Sequence, residues 1–339
     1  MAQTSASAAL PPDITREQLL TLFRSMLTQR SVDTRGFQLN RQGKIGIAMG
    51  SEGHEAVQAG TGLAFVRGKD LLYPYYRNTG LILACGFPLL DLFRSQFARK
   101  TDRTGGRSII NHVTGRAEGI ASISSIIAAH LAHAVGAAWA VRSRGETDRA
   151  VFAQFGEGST SQGEWHEAIN FAAVHKLPVV FICENNQWAI STHISKQMVV
   201  PDVYRKAAGY GMRGTVCDGF DPVAVYRAVK DAREYALSGA GPALVEAKCY
   251  RFLSHTTDDD DRTYRTPDEV AKERVNDPVP KFAAWLVAHG IVDEDEAQRM
   301  RADIARSVND TTDEVEKEPW PAEHELYGNV YAGPDDPWI

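Results

Sequence analysis

Cysteine is scarce and scattered. Cys85, Cys183, Cys217 and Cys249 are the only four in 339 residues, and no two stand close enough for a Cys-x-x-Cys pair. That argues against a disulfide framework and for buried, reduced thiols in a cytoplasmic protein. Long apolar runs are missing too. Nothing approaches the roughly 18 consecutive apolar residues of a membrane span, so no membrane partner is expected. Met1–Ala9 has neither the basic start nor the apolar stretch of a secretory signal, and reads as a disordered tail. A basic stripe is absent and the formal net charge is −6, which argues against nucleic acid. There is no internal repeat and no low-complexity tract.

What is present is ordinary globular composition, 43% hydrophobic and 24% charged, in a chain long enough for one large α/β domain with appendages. Thr15 is placed to cap a helix running through Leu19, Leu20, Phe23 and Met26. A glycine-rich stretch opens at Gly36, and Gly53–Leu63 reads as a helix packed closely against a neighbour. Asp70–Tyr76 is an extended segment, Leu89–Phe97 a helix, and Thr101–Ile120 a long loop of the kind that often carries function. Ser124–Val141 reads as a strongly apolar helix whose small residues permit close approach.

The clearest unit follows. Ala150–Phe155 is a short apolar strand, 156–160 a glycine turn, Glu164–His175 a helix, and Pro178–Cys183 a second apolar strand closed by Glu184-Asn185-Asn186. This order implies a parallel crossover. A helix over Pro222–Leu237 and a strand over Ala243–Ala247 repeat it, which predicts a doubly wound parallel sheet flanked by helices. Ser254–Arg265, with four consecutive aspartates, reads as a surface loop, its aspartates either solvated or anchored through Arg262 and Arg265. Helices are expected from Pro267, near Val279–His289 and near Glu294–Glu316, then an arm over Gly333–Ile339. The expected division is 1–40 (N-terminal arm and helix), 41–266 (α/β domain) and 267–339 (helical extension and tail).

Ligands of parallel sheets gather beyond the carboxyl ends of the strands. If the two apolar strands are neighbours, Glu157 and Asn186 meet over one site. A carboxylate and an amide oxygen suit a hard cation such as Mg²⁺ or Ca²⁺, with phosphate oxygens completing its shell. The flanking glycines let backbone approach phosphate, and the following helix start favours an anion. Taken singly, a glycine turn and an Asn-Asn pair are common turn chemistry. The turn is not a dinucleotide fingerprint, because Ser161 stands where the third glycine belongs, and no Gly-Lys-Ser/Thr follows for a P-loop.

The segment from Gly156 to Ser191 resembles the thiamine-diphosphate motif of 2-oxo acid dehydrogenase α subunits, with Gly-Glu-Gly as in branched-chain members. The resemblance covers nearly the whole chain. It implies the thiamine-diphosphate-binding fold and a metal, Mg²⁺ with Ca²⁺ or Mn²⁺ as alternatives, held by Glu157, Asn186 and the Trp188 carbonyl. It places Gly156, Gly158 and Ser159 around the cofactor. Tyr76-Arg77-Asn78-Thr79-Gly80 is similar to the family's Tyr-Arg-x-x-Gly segment, which implies that Tyr76 and Arg77 reach the diphosphate; an arginine fork suits that role. Ser124-Ser125-Ile126-Ile127 resembles an Ile-Ser-Ser-Pro-Leu segment and implies pyrimidine contacts from Ser125 and the Ile127 backbone, with Ile126 replacing proline. Ser254-His255-Thr256-Thr257-Asp258-Asp259 resembles the family's regulatory loop, which implies that His255 contacts the diphosphate and assists acyl transfer. Thr256 and Thr266 fall where some members carry regulatory serines, which does not by itself predict phosphorylation.

The implied activity is oxidative decarboxylation of a 2-oxo acid, with the acyl group passed to a lipoyl-bearing acyltransferase component. The glutamate that serves the cofactor's pyrimidine comes from a separate β subunit in two-chain families. An α2β2 heterotetramer is therefore expected, with the β chain covering apolar surface on the helices around Ser124–Trp139. Branched-chain substrates, and branched-chain amino acid catabolism, are favoured over pyruvate or acetoin. Two departures blur that choice: Glu184 stands where branched-chain members often carry a phosphate-holding arginine, and Tyr75 replaces a glutamine near the substrate. A non-catalytic scaffold would predict loss of Glu157, Asn186 or His255, and an unrelated nucleotide-binding protein would predict the missing phosphate-loop signatures.

Overall fold

The structure, a computed structural model, describes residues 13–328. The expected tail at 1–9 and arm at 333–339 lie outside the described residues. The first helix, α1 (Arg16–Arg41), starts at Thr15, whose hydroxyl accepts the Gln18 N–H at 3.2 Å while Gln18 Oε1 accepts the Thr15 N–H at 2.9 Å. This reciprocal cap fixes the entry. The helix runs on through Gly36, where the sequence suggested a glycine-rich break. One interior glycine costs only about 1 kcal/mol, and the buried face runs from Val32 before it to Leu39 beyond it, so packing wins.

Behind it lies α2 (Glu55–Ala64), the short strand β1 (Leu71–Tyr73), and helices α3 (Thr79–Ala84) and α4 (Leu89–Gln96). The apolar helix expected from Ser124 begins later, as α5 (Ala129–Ser143). Residues 124–128 are held out of it. Ser124 Oγ accepts the Ile126 N–H at 3.1 Å, a local bond that competes with helix, and Ala128 is left-handed at φ 68°.

The crossover then appears as read: β2 (Val151–Gly156), α6 (Gly163–Val174) and β3 (Val179–Asn185). A small antiparallel pair, β4 (Trp188–Ala189) with β5 (Thr192–His193), and an edge strand, β6 (Arg213–Asp218), precede α7 (Pro222–Leu237) and β7 (Ala243–Lys248). The five main strands form a parallel sheet in the order β1-β2-β3-β7-β6. β6 was not foreseen because its half-exposed, charged pattern is that of an edge strand and lacks an apolar run.

Alternate side chains of β2 and β3 face opposite layers. Phe152, Val180 and Ile182 join α1, α2 and α7, whereas Phe155, Phe181 and Cys183 join α5 and α6. The C-terminal helices α8 (Pro267–Arg274), α9 (Pro278–Ala288) and α10 (Glu294–Val315) begin at Thr266, Asp277 and Asp293, each accepting backbone N–H groups of the first turn. Phe282, Leu286, Val308 and Val315 lie in the same apolar cluster as α1. All four cysteines are free thiols, three of them buried. No helix among the described residues is long and apolar enough to cross a membrane.

Candidate functional site

Parallel register aligns the strand ends. Gly156 of β2 pairs with Glu184 of β3, and Asn185 of β3 pairs with Lys248 of β7, so the residues after all three strands converge at one edge. A cavity opens there. Of the residues singled out by sequence, Tyr75, Tyr76, Arg77, Ile127, Gly156, Glu157, Gly158, Ser159, Asn186, Trp188 and His255 line it. Ser125 does not: its hydroxyl lies 2.5 Å from His112 Nε2 on the exposed side of the 124–128 turn.

Glu157 opens a short 3-10 turn, Glu157–Ser161, that leads into α6. Its carboxylate is buried, and the Asn186 N–H donates to Oε2 at 3.3 Å. Oε1 has no hydrogen-bond partner. Burial pushes the carboxyl up to about 7. A buried oxygen without a donor costs stability, which makes this side chain the orphan of the site. Asn186 Oδ1 accepts the Trp188 N–H at 3.0 Å, an Asx turn that sets the path into β4. No group of three or more His, Cys, Asp or Glu side chains clusters among the described residues, so a cation here would rest on one carboxylate plus amide and carbonyl oxygens.

The opposite wall is cationic. Arg77, buried, donates from Nη1 to the Gly50 carbonyl at 2.5 Å and from Nη2 to His255 Nδ1 at 3.1 Å. Arg251, equally buried, donates to the carbonyls of Trp188 at 3.4 Å and Ile190 at 2.8 Å, and its Nη1 lies 3.4 Å from His255 Nδ1. Neither guanidinium has a carboxylate partner. Burial and the neighbouring Arg77 charge pull Arg251 down to about 10, and burial with both arginines pulls His255 down to about 3. His255 therefore stands neutral, its Nδ1 accepting and its Nε2 bearing the proton. Two desolvated cations without a carboxylate partner are chemically suited to an anionic group such as a phosphate.

The His255 loop is anchored, through Arg265 as one of the two sequence readings had it and not through Arg262. Asp259 Oδ2 accepts the His255 N–H at 2.8 Å and also takes the Tyr264 hydroxyl. Arg265 is buried, donates to the Arg251 and Leu253 carbonyls at 2.5 and 2.6 Å, and pairs with Asp261 at 2.6 Å. Arg262 pairs only with Asp260 and stays exposed.

Sequence reasoning missed Arg251, Gln162, Ala189 and Ile190, which also line the cavity. The strand-end rule applied to β7 as well as β2 and β3 would have pointed at Arg251. Glu184, which stands where branched-chain members often carry a phosphate-holding arginine, holds no wall of the cavity. Glu184 is buried beneath it and accepts hydrogen bonds from Tyr75 Oη (3.0 Å), Gln58 Nε2 (3.3 Å), Asn78 Nδ2 (2.5 Å), His54 and Gln154.

Comparison with known proteins identifies relatives across nearly the full chain. The dehydrogenase E1 component family matches residues 23–324. The 2-oxoisovalerate dehydrogenase subunit alpha of Bacillus subtilis is 42% identical over 320 residues, covering 94% of this chain and 97% of that protein. The pyruvate dehydrogenase E1 component subunit alpha of Staphylococcus aureus is 37% identical over 318 residues, 91% of this chain and 82% of the relative. The mitochondrial 2-oxoisovalerate dehydrogenase subunit alpha of Homo sapiens is 34% identical over 322 residues, 94% and 72% of the respective chains.

Proposed function

The chain belongs to the dehydrogenase E1 component family, and from that premise we propose that its cavity is the α-subunit share of a thiamine-diphosphate and divalent-metal site. The chain is the α subunit of a branched-chain-type 2-oxo acid dehydrogenase, which oxidatively decarboxylates its substrate. The observation that carries the site reading is the buried Glu157 Oε1, which lacks a donor beside Asn186. A cation is the partner that such an oxygen fits.

When bound, thiamine diphosphate supplies the carbon nucleophile and electron sink for loss of carbon dioxide. In this reading Glu157, the Asn186 amide oxygen and the Trp188 carbonyl hold the metal, Mg²⁺ in preference to Ca²⁺ or Mn²⁺. Arg77 and Arg251 neutralise the diphosphate, with Tyr76, Gly156, Gly158 and Ser159 shaping its bed. Ile127 borders the pyrimidine end, and Ser125 joins it on release from His112. His255 keeps its Nε2 proton for the reacting end of the cavity, where it stabilises negative charge and donates during acyl transfer.

The family position as an α subunit implies a β partner. An α2β2 heterotetramer, with the β chain completing the site and a lipoyl-bearing acyltransferase taking the acyl group, accords with the α-subunit names of the relatives. A cytoplasmic setting accords with four free thiols, three of them buried. Pyruvate is the second reading, favoured by Cys183-Glu184-Asn185-Asn186 in place of an arginine-bearing form. The deciding assay mixes the chain with its β partner, thiamine diphosphate and Mg²⁺ and compares decarboxylation of 3-methyl-2-oxobutanoate with pyruvate. The branched substrate should turn over faster; a faster pyruvate rate reverses the substrate assignment.

A further inference from the structure

Beneath the cavity, outside its lining, a buried chain of polar groups ends on Asn186. Glu184 lies against His54 Nδ1, and His54 Nε2 lies 3.3 Å from Asn186 Nδ2. All three side chains are buried. The direction of each bond follows from chemistry. Asn186 Oδ1 accepts the Trp188 N–H, so the end of the amide facing His54 is the NH₂ group. An NH₂ group needs an acceptor, so His54 Nε2 carries no proton and Nδ1 carries it. That proton goes to Glu184, whose oxygens already accept from Tyr75, Gln58, Asn78 and Gln154.

We infer that His54, held in one tautomer by Glu184, is a positioning residue that fixes the Asn186 amide with its oxygen toward the metal site. The inference rests on the reading of Asn186 as a metal ligand. An amide oxygen has two acceptor lone pairs, and the Trp188 N–H uses one, leaving the other for a cation. Rotation of the amide by half a turn would present NH₂ to the cation instead, and His54 Nε2 would then face an oxygen with no proton between them. The acceptor nitrogen therefore selects the binding orientation, as groups behind metal ligands commonly do.

Glu184 ties this chain to the opposite wall. It takes the Tyr75 hydroxyl at 3.0 Å and Asn78 Nδ2 at 2.5 Å, and Asn78 Oδ1 accepts the Tyr75 N–H at 2.9 Å. Gln58 Nε2 bridges Glu184 at 3.3 Å and the Arg77 carbonyl at 3.0 Å. One buried carboxylate thus sets both the turn that carries Arg77 and, through His54, the amide of Asn186.

The test compares two substitutions of similar polarity in the complex with the β subunit. His54→Gln puts an amide oxygen near the place of Nε2 and keeps an acceptor for Asn186. His54→Asn reaches Glu184 but falls short of Asn186. Mn²⁺ is the probe, titrated at saturating thiamine diphosphate and followed by its electron paramagnetic resonance, with assembly checked by size exclusion. Asn186→Ala should lose Mn²⁺ affinity, His54→Asn should lose about 10- to 100-fold, and His54→Gln should stay within a few-fold of wild type. Wild-type affinity in both His54 variants, with loss in Asn186→Ala, overturns the positioning role and leaves the ligand reading standing. Equal loss in both means packing rather than an acceptor, and also overturns it. Wild-type affinity in Asn186→Ala removes the ligand reading itself. Should a His54 variant fail to assemble, Glu184→Gln tests the same chain from its far end: a similar loss of Mn²⁺ affinity supports it, and unchanged affinity refutes it.

Discussion

The Asn186 N–H donates to Glu157 Oε2 at 3.3 Å, joining two residues 29 positions apart across the ends of β2 and β3. The other carboxylate oxygen is buried without a donor, a destabilising feature that the proposed cation would relieve. Glu157→Gln removes the charge and keeps the shape. It should abolish Mn²⁺ and thiamine diphosphate binding by calorimetry while raising the stability of the cofactor-free complex by roughly 1–3 kcal/mol. A variant that binds cofactor as wild type does would refute the ligand assignment.

Glu157 was readable because a glycine turn and a paired amide close two successive apolar strands, and strand ends in parallel sheets collect ligands. Arg251 was passed over because the segment after β7 carries no turn motif, and only the strand-end rule pointed to it; the register of Asn185 with Lys248 puts it beside the other strand ends. His54 and Glu184 meet across 130 positions, and no local pattern announces such a pairing. The length of α1 was hidden by Gly36, since local propensity sees the glycine and not the buried face that continues beyond it. The start of α5 was hidden by Ser124, whose side chain closes a turn inside an apolar run. The sheet itself was legible because fully buried parallel strands read as continuous apolar runs.

Metal affinity should depend on pH through Glu157. Its carboxyl is raised from an ordinary 4.5 to about 7 by burial. The stability of the cofactor-free state is thus fully present below the ordinary value, where the group is protonated in both states, and is lost as pH rises through about 7. Metal binding has the opposite sign, because the cation needs the ionised form. Mn²⁺ affinity should rise about tenfold per unit up to pH 7 and level off above it. His255, pulled down to about 3, adds no slope in that range. Isotherms at pH 6, 7 and 8 check this, and a flat profile would contradict it.

Close helix approach gives a stability prediction. A Cβ on Gly60 of α2 would lie 2.7 Å from the Pro222 carbonyl oxygen and 2.8 Å from Val225 Cβ of α7. Backbone cannot yield as a flexible side-chain tip does, so Gly60→Ala should cost about 1–3 kcal/mol. Gly163→Ala, with nothing within 4 Å of the added carbon, should be neutral within about 0.5 kcal/mol. Thermal melting of the assembled complex separates the two, and equal melting temperatures would contradict the packing argument.

The apolar surface of α5 and α6 predicts where assembly is lost. Trp139 is 43% exposed and packs on Phe171, itself 44% exposed, with ring centroids 5.6 Å apart; Val174 beside them is 67% exposed. Neither aromatic belongs to the buried clusters on the two sheet faces, so the fold does not depend on them. Large aromatics of this kind dominate interface energetics when a partner covers them. Trp139→Arg should leave the circular dichroism of the chain unchanged and weaken association with the β subunit by about 2 kcal/mol or more, a loss of roughly 30-fold. Val275→Arg just after α8, at a position 76% exposed and outside this face, should assemble as wild type does. Sedimentation of the co-expressed subunits reads both variants, and full assembly of Trp139→Arg would exclude this face as the β-subunit contact.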